Sequence, residues 1–563
     1  MGGLRFQQFA GEKPGRHPQK LELSDAEEAR NVRLLSGALE AWRGSAKAYD
    51  SSLTNPTRTL FRTQYDRWVE WPVWYRVVNT INPNDPYDRI FLAGGDRPPQ
   101  VLDPDRAGTD EDPSYPLGSL RLGVPGPESP LASAHAISHS SAIDWANSNG
   151  LSYPSDWPVE IDDDEEGTPR TRTYTYTVTL ENNFGEESIP ATPTAPIDVG
   201  EDETVKFSLP AVPEMADAGD VILERYFIYR STGGPFQYIG SAPIAWGEYV
   251  DLIPDGAAAE VLESEDNDMP PEDMDGIVTI GGNFYAGFVN NEVVFSQPGL
   301  PHAWPTAYRQ PVDYRIVELA SFGQTLVVMT QGSLFLGHGG HPAGLTLQNT
   351  AIQQPCVSRE SVVTLAGGVM YASPDGLLFV TGQGPQIVTQ DIFDRDTWQK
   401  LNPETIRAAQ WYHLYVGWYD GEDGPGGFVF DPNRPSWGVI FFDTPYPTAV
   451  YSLVEEDRLF YAYDGEIREW DAGERMTYRW RSRPIDLSAP AALSVVRVSA
   501  DDYPVTFRLF RDGELQYEGS AENANPKRIS GATLGRTYQL EVESSAPVYE
   551  IAFGTTVQET MRA

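Results

Sequence analysis

Seven histidines and one cysteine are the side chains from which a metal site or a covalent mechanism would have to be built. His135 and His139 stand four apart, the spacing that puts two ligands on one helix face. Ala136-Ile137-Ser138 between them supplies no catalytic acid of the His-Glu-x-x-His kind. His338-Gly339-Gly340-His341 lies in a glycine turn with no third ligand nearby, and His302 sits in Pro301-His302-Ala303-Trp304-Pro305, a rigid aromatic loop. Cys356 follows a proline and reads as a small buried hydrophobe rather than a nucleophile. Phosphate-cradling glycine loops, a dinucleotide fingerprint and a Gly-x-Ser-x-Gly elbow are absent from the sequence. The run Asp162-Asp163-Asp164-Glu165-Glu166 lacks the alternation of a calcium loop and reads as a solvated segment. With 81 Asp+Glu, a carboxylate pair for glycoside hydrolysis stays open, although no spacing singles one out. The expectation is a non-enzyme with no catalytic, cofactor-binding or metal-ligating residue and no cofactor.

The elements that would position such residues are nearly all β. The 51 Gly and 46 Pro are spread along 563 residues, and short runs of Val, Ile, Tyr, Phe and Trp lie between them. The best helix signal is Ser24-Asp25-Ala26-Glu27-Glu28-Ala29-Arg30, a capping box over a short helix. From about 276 to 485, strands end in tight Gly, Asn or Asp turns and aromatic strands return, as in Ile277 to Ile280, Gly281-Gly282-Asn283, Phe284 to Phe288. One hairpin cannot bury its own face, so radially packed four-stranded units are the economical solution, a β-propeller. Ser373-Pro374-Asp375-Gly376 resembles part of the Asp-box turn of sialidase propellers but lacks the trailing Thr-Trp, and a plain blade turn accounts for it.

The expected domains are 1–170, N-terminal propeller blades with strands from Trp68 to Val78 and Arg89 to Ala93, and long loops at 103–117 and 123–170 suited to contacts. A β-sandwich resembling a fibronectin type III module follows at 171–262, marked by Tyr229-Arg230-Ser231-Thr232-Gly233-Gly234. An acidic linker at 263–275 leads into the main blades, 276–485, and 486–563 forms a small C-terminal sandwich or closing blade.

Charge narrows the partners. Against 81 acids stand 41 Lys+Arg, a formal −40, which disfavours gripping phosphates or an anionic membrane surface. Aromatics at 12% place the acid on folded structure rather than on a disordered chain. No membrane span and no signal peptide are expected, and one cysteine implies a reducing compartment.

Four stretches together carry a resemblance: Glu292-Val293-Val294-Phe295-Ser296-Gln297-Pro298-Gly299-Leu300-Pro301-His302-Ala303-Trp304-Pro305, Gln354-Pro355-Cys356-Val357-Ser358-Arg359, Met370-Tyr371-Ala372-Ser373-Pro374-Asp375-Gly376-Leu377 and Met476-Thr477-Tyr478-Arg479-Trp480-Arg481-Ser482. They resemble virion structural proteins of tailed bacteriophages, in particular the propeller-bearing nozzle (tail tubular protein B type) of short-tailed phages. Ala29 to Leu39, with its Asn31-x-Arg33-Leu34 and Gly37-x-Leu39, is similar to the segment that enters the first blade of such proteins. The resemblance implies a homo-oligomer, a hexameric ring in the phage tail that assembles in the host cytoplasm. It further implies docking to a tail adaptor and to tail fibres or spikes, and a channel passing double-stranded DNA without specific binding. An acidic lumen would repel the duplex within the ~10 Å reach of charges at 0.1 M salt. Two rivals remain: a receptor-binding or fibre protein, and a propeller glycosidase acting on host surface polysaccharide.

Overall fold

The computed structural model describes residues 3–53, 55–63, 68–95, 97–103, 119–155, 157, 171–213, 221–257 and 260–561. The acid run 162–166 and most of the loop 103–117 lie outside them.

The chain is an all-β propeller with an inserted sandwich and a C-terminal β region. Five four-stranded antiparallel sheets, and four antiparallel strands at one end of a ten-stranded sheet, form six blades among the described residues. Their innermost strands are Tyr75–Asn79, Asp275–Ile280, Ile316–Phe322, Val363–Leu365, Arg407–Trp411 and Ala449–Leu453, which we number as blades 1 to 6. The hairpin Thr59–Arg62/Trp68–Trp71 stands between blades 6 and 1 and completes the ring. The repeated strand–turn–strand pattern of 276–485 is found as these blade hairpins, with Ile280 paired to Phe284 and Leu365 to Gly368. Alternation aims one face of each sheet at its neighbour, so Val278, Phe284, Leu319 and Val328 share one inter-blade core, while Val327, Val369 and Tyr371 share the next.

Closure uses a strand from far away in sequence. Blade 6 takes its fourth strand from Ala46–Asp50, antiparallel to Glu466–Glu469. The strand expected from Trp68 to Val78 is broken at Pro72, where the chain steps from the hairpin to blade 1.

The sandwich packs a four-stranded sheet containing Arg172–Asn182 and Leu223–Ser231 against a three-stranded one. Its first strand is Ala132–Ser138, paired to Glu203–Ser208, and the helix His139–Ser148 follows. The module therefore begins well before 171, inside the segment 123–170 expected to be loop. Residues 4–6 and 26–30 belong not to blades but to the C-terminal sandwich: Leu4–Phe6 pairs Val548–Gly554, and Ala26–Arg30 pairs Tyr478–Ser482.

The capping-box helix at 24–30 is instead this strand. Ala26 and Ala29 are buried, and the Ala29 N–H donates to a Glu12 carboxyl oxygen at 2.6 Å. Tertiary pairing overrides the local helix preference of Ala and Glu. The Asn31–Leu39 segment likewise runs between sandwich and blade 5, with Leu34 and Leu39 in the sandwich core.

Candidate functional site

Two cavities lie between the inner strands, the place where a propeller converges side chains from every blade. One, of about 250 Å³, is lined by Arg58, Arg76, Arg359 and Glu360 and by apolar residues such as Phe61 and Val450. The second, of about 640 Å³, is lined by Glu272, Asp273, Asp275, Arg315 and the Gly94-Gly95 turn. Trp74 and Arg359 border both.

Two β-bulges place the acids here. The pairing of Asp275–Ile280 shifts between Asp275 and Ile277, and that of Ile316–Phe322 shifts between Ile316 and Glu318. A bulge re-aims the side chain beside it. At the first, Gly276 has φ +67°, and a Cβ would meet Phe288 at 2.6 Å and the Glu318 carboxylate at 3.2 Å. Only glycine fits there.

Both acids converge on Arg359. Its guanidinium makes two 3.0 Å bonds to Asp275 and lies 3.4 Å from Glu318, whose side chain is wholly buried. The same guanidinium sits 3.6 Å over the Trp74 ring. Burial disfavours the Arg359 charge, but Glu318 and Asp275 more than offset it and hold the group protonated above its ordinary value. Next to it, Glu360 receives Arg58 at 2.8 Å and also Arg407. One pair of adjacent residues, Arg359-Glu360, thus ties blades 2, 3, 4 and 5 and the closing hairpin together.

The residues singled out by sequence are elsewhere. His135 ends up in a strand and His139 at the start of the helix, stacked on Trp157 at 4.1 Å, so the two do not share a helix face. His341 caps a single turn by accepting from the Ala343 N–H, and His338 faces the Thr325 hydroxyl. No group of three His, Cys, Asp or Glu among the described residues is placed to hold a metal ion. Cys356 is buried, its thiol 3.2 Å from the Ser358 carbonyl oxygen, and burial pushes it far above the ordinary thiol range. A thiol so rarely ionised is a poor nucleophile.

Asp375 closes a blade 4 turn, accepting from Gln354 and Arg395, and the Trp398 indole donates to the Ser373 carbonyl. His302 is buried with its Nδ1 3.3 Å from Glu186 of the inserted sandwich. The axial cluster was missed. Its sequence signals are Asp275-Gly276, an acid next to a glycine at a strand start, and the adjacent pair Arg359-Glu360.

No helix among the described residues is long and apolar enough to cross a membrane. No family model matches the chain, and no curated protein matches it. Among solved structures it is similar to BamB from Moraxella catarrhalis, 11% identical over 52% of this chain and 90% of that one, with a TM-score of 0.26. It is also similar to the AfRom2 CNH domain, 12% identical over 52% and 91% with a TM-score of 0.24. PorZ of Porphyromonas gingivalis matches at 10% over 95% and 87% with a TM-score of 0.25. The propeller assignment rests on the sheet topology of this chain.

Proposed function

We propose that this protein is a structural ring subunit of a short-tailed phage nozzle. In that role it is a homo-oligomer that docks to adaptor and fibres and conducts double-stranded DNA through an acidic channel. The observation that supports the reading is where the four resembling stretches fall. His302 lies at the joint with the inserted sandwich, Arg359 on the propeller axis, Asp375 in a blade turn and Trp480 at the joint with the C-terminal sandwich. Two of the four thus lie at joints between modules and two brace the propeller itself, the rigidity a ring subunit needs. Negative-stain images of the purified full chain test it: a six-fold ring with a pore is expected, and a compact monomer or a trimeric rod overturns it. In such a ring, acidic side chains should be denser on the lumen than outside, and a neutral or basic lumen would remove the charge argument.

One observation favours a second reading as a glycosidase. The 640 Å³ cavity combines Glu272, Asp273 and Asp275 with Trp74, acids beside an aromatic platform. Sugar release from host capsule, abolished in Asp275→Asn, would select it. Against it, Asp275 commits both carboxylate oxygens to Arg359.

A further inference from the structure

Carboxylates outnumber Lys+Arg 81 to 41, so a cation in this chain rarely lacks a partner. Around the smaller axial cavity, Arg58 pairs with Glu360, and Arg359 pairs with Asp275 and Glu318. Arg76 is the exception. It lies half-buried on the inner strand Tyr75–Asn79 and lines the cavity, with no ion pair or side-chain hydrogen bond among the described residues. A half-buried guanidinium with no carboxylate partner keeps its N–H donors for an incoming anion.

The remaining lining shows which anion would suit it. Four arginines (Arg58, Arg76, Arg359 and Arg407) meet three carboxylates (Glu360, Asp275 and Glu318) around this cavity, leaving a local excess of one positive charge in a chain of −40. The rest of the lining is largely apolar, including Leu60, Phe61, Val362, Ala408 and Val450. Arg58 stays 37% exposed, which gives the cavity a solvent-facing edge. About 250 Å³ accommodates one ring or a short chain, not a polymer.

We propose that this axial cavity is a binding site for a small organic oxyanion. Its carboxylate or phosphate head engages Arg76 with Arg58 beside it, and its apolar body rests against Phe61 and Val450. The planar guanidinium fork matches both heads in a two-bonded arrangement, and shelter from water strengthens the pair. The site is independent of the nozzle reading, because it belongs to the propeller of a single chain.

Isothermal titration of the full-length protein tests it with three probes: benzoate, phenyl phosphate and neutral benzyl alcohol. Saturable one-to-one binding of at least one anion is expected, with no binding of the alcohol. The stronger of the two anions assigns the head group as carboxylate or phosphate. Arg76→Gln should weaken that anion by about tenfold or more, near 1.4 kcal/mol, while Arg76→Lys keeps part of the affinity. Because Arg76 holds no partner, Arg76→Gln should melt at or above the temperature of the unaltered chain. Absence of binding by both anions, or binding unchanged in Arg76→Gln, overturns the proposal. Crystals soaked in phenyl phosphate provide a second readout: a phosphate against Arg76 supports the site, and one bound only elsewhere overturns it.

Discussion

The two sandwiches are fastened to the propeller by opposite chemistries. The inserted one is pinned by a buried ionic knot. Arg89 of blade 1 bonds Asp85 at 2.8 Å and Glu186 of the sandwich at 2.6 Å, and Glu186 also accepts from Asn182 at 2.9 Å and faces His302 of blade 2. The Phe184 ring lies 4.9 Å from the same guanidinium. The C-terminal sandwich is joined by backbone and apolar surface. Ala26–Arg30 runs antiparallel to Tyr478–Ser482 and touches blade 5 in parallel at Phe441, so one sheet spans both modules. Trp480 fills the core beneath it, edge-on to Phe9 at 5.1 Å and Phe6 at 6.0 Å, with its indole N–H on the Ala10 carbonyl. An ionic knot sets orientation through directional bonds but depends on every partner, whereas a shared sheet spreads the attachment over many small contributions.

The largest effect should come from the apolar joint. Trp480→Ala removes a fully buried indole and is expected to cost about 3–5 kcal/mol, read as a lower midpoint in denaturant and early loss of protection over 478–561. Glu186→Gln at the ionic joint should cost less, about 2–3 kcal/mol, since Arg89 keeps Asp85 while losing one charge partner. Hydrogen exchange should then rise in 171–262 and not in the C-terminal sandwich. If both modules loosen together in either variant, the two joints are not separate.

The joints should also respond oppositely to pH. Burial alone would raise the Glu186 carboxyl, but His302, Arg89 and Asn182 hold it down to about 2 from an ordinary 4.5. Its folded value is depressed, so its contribution is complete above pH 4.5 and is lost as pH falls toward 2. Glu12, at the other joint, exchanges backbone bonds with Val439 and is pushed up to about 8 by burial, with Glu28 adding to the rise and the Ala29 N–H opposing it. Its folded value is raised, so the joint is strongest below pH 4.5 and weakens as pH climbs toward 8. Glu12→Gln should flatten that alkaline loss in a melting series from pH 5 to about 9. The smallest effect is expected at the exposed Lys47–Asp50 pair on the closing strand: Lys47→Ala should leave the melting temperature unchanged.

Local physics was legible. The blade hairpins could be read because a two-residue period and a Gly, Asn or Asp turn are both short-range, as at Asp464-Gly465 between Arg458–Tyr463 and Glu466–Glu469. The sandwich strand Arg172–Asn182 showed for the same reason. The strand at 26–30 did not, because its partner lies some 450 residues on, and a Ser followed by Glu at the third position looks like a helix start wherever it stands. The axial site was equally hidden. Arg359 meets Asp275 across 84 residues, and Arg58 meets Glu360 across 302.

Sequence alone therefore determined an acidic, nearly all-β chain whose turns fold into blades, since burial pattern and turn chemistry act over a few residues. Only the tertiary structure decided that Ala46–Asp50 closes the ring, that residues 4–6 and 26–30 join the C-terminal sandwich, and that Arg76 lines a cavity with no carboxylate paired to it. Those outcomes depend on which of many chemically similar strands and acids meet, and that choice is made by long-range packing.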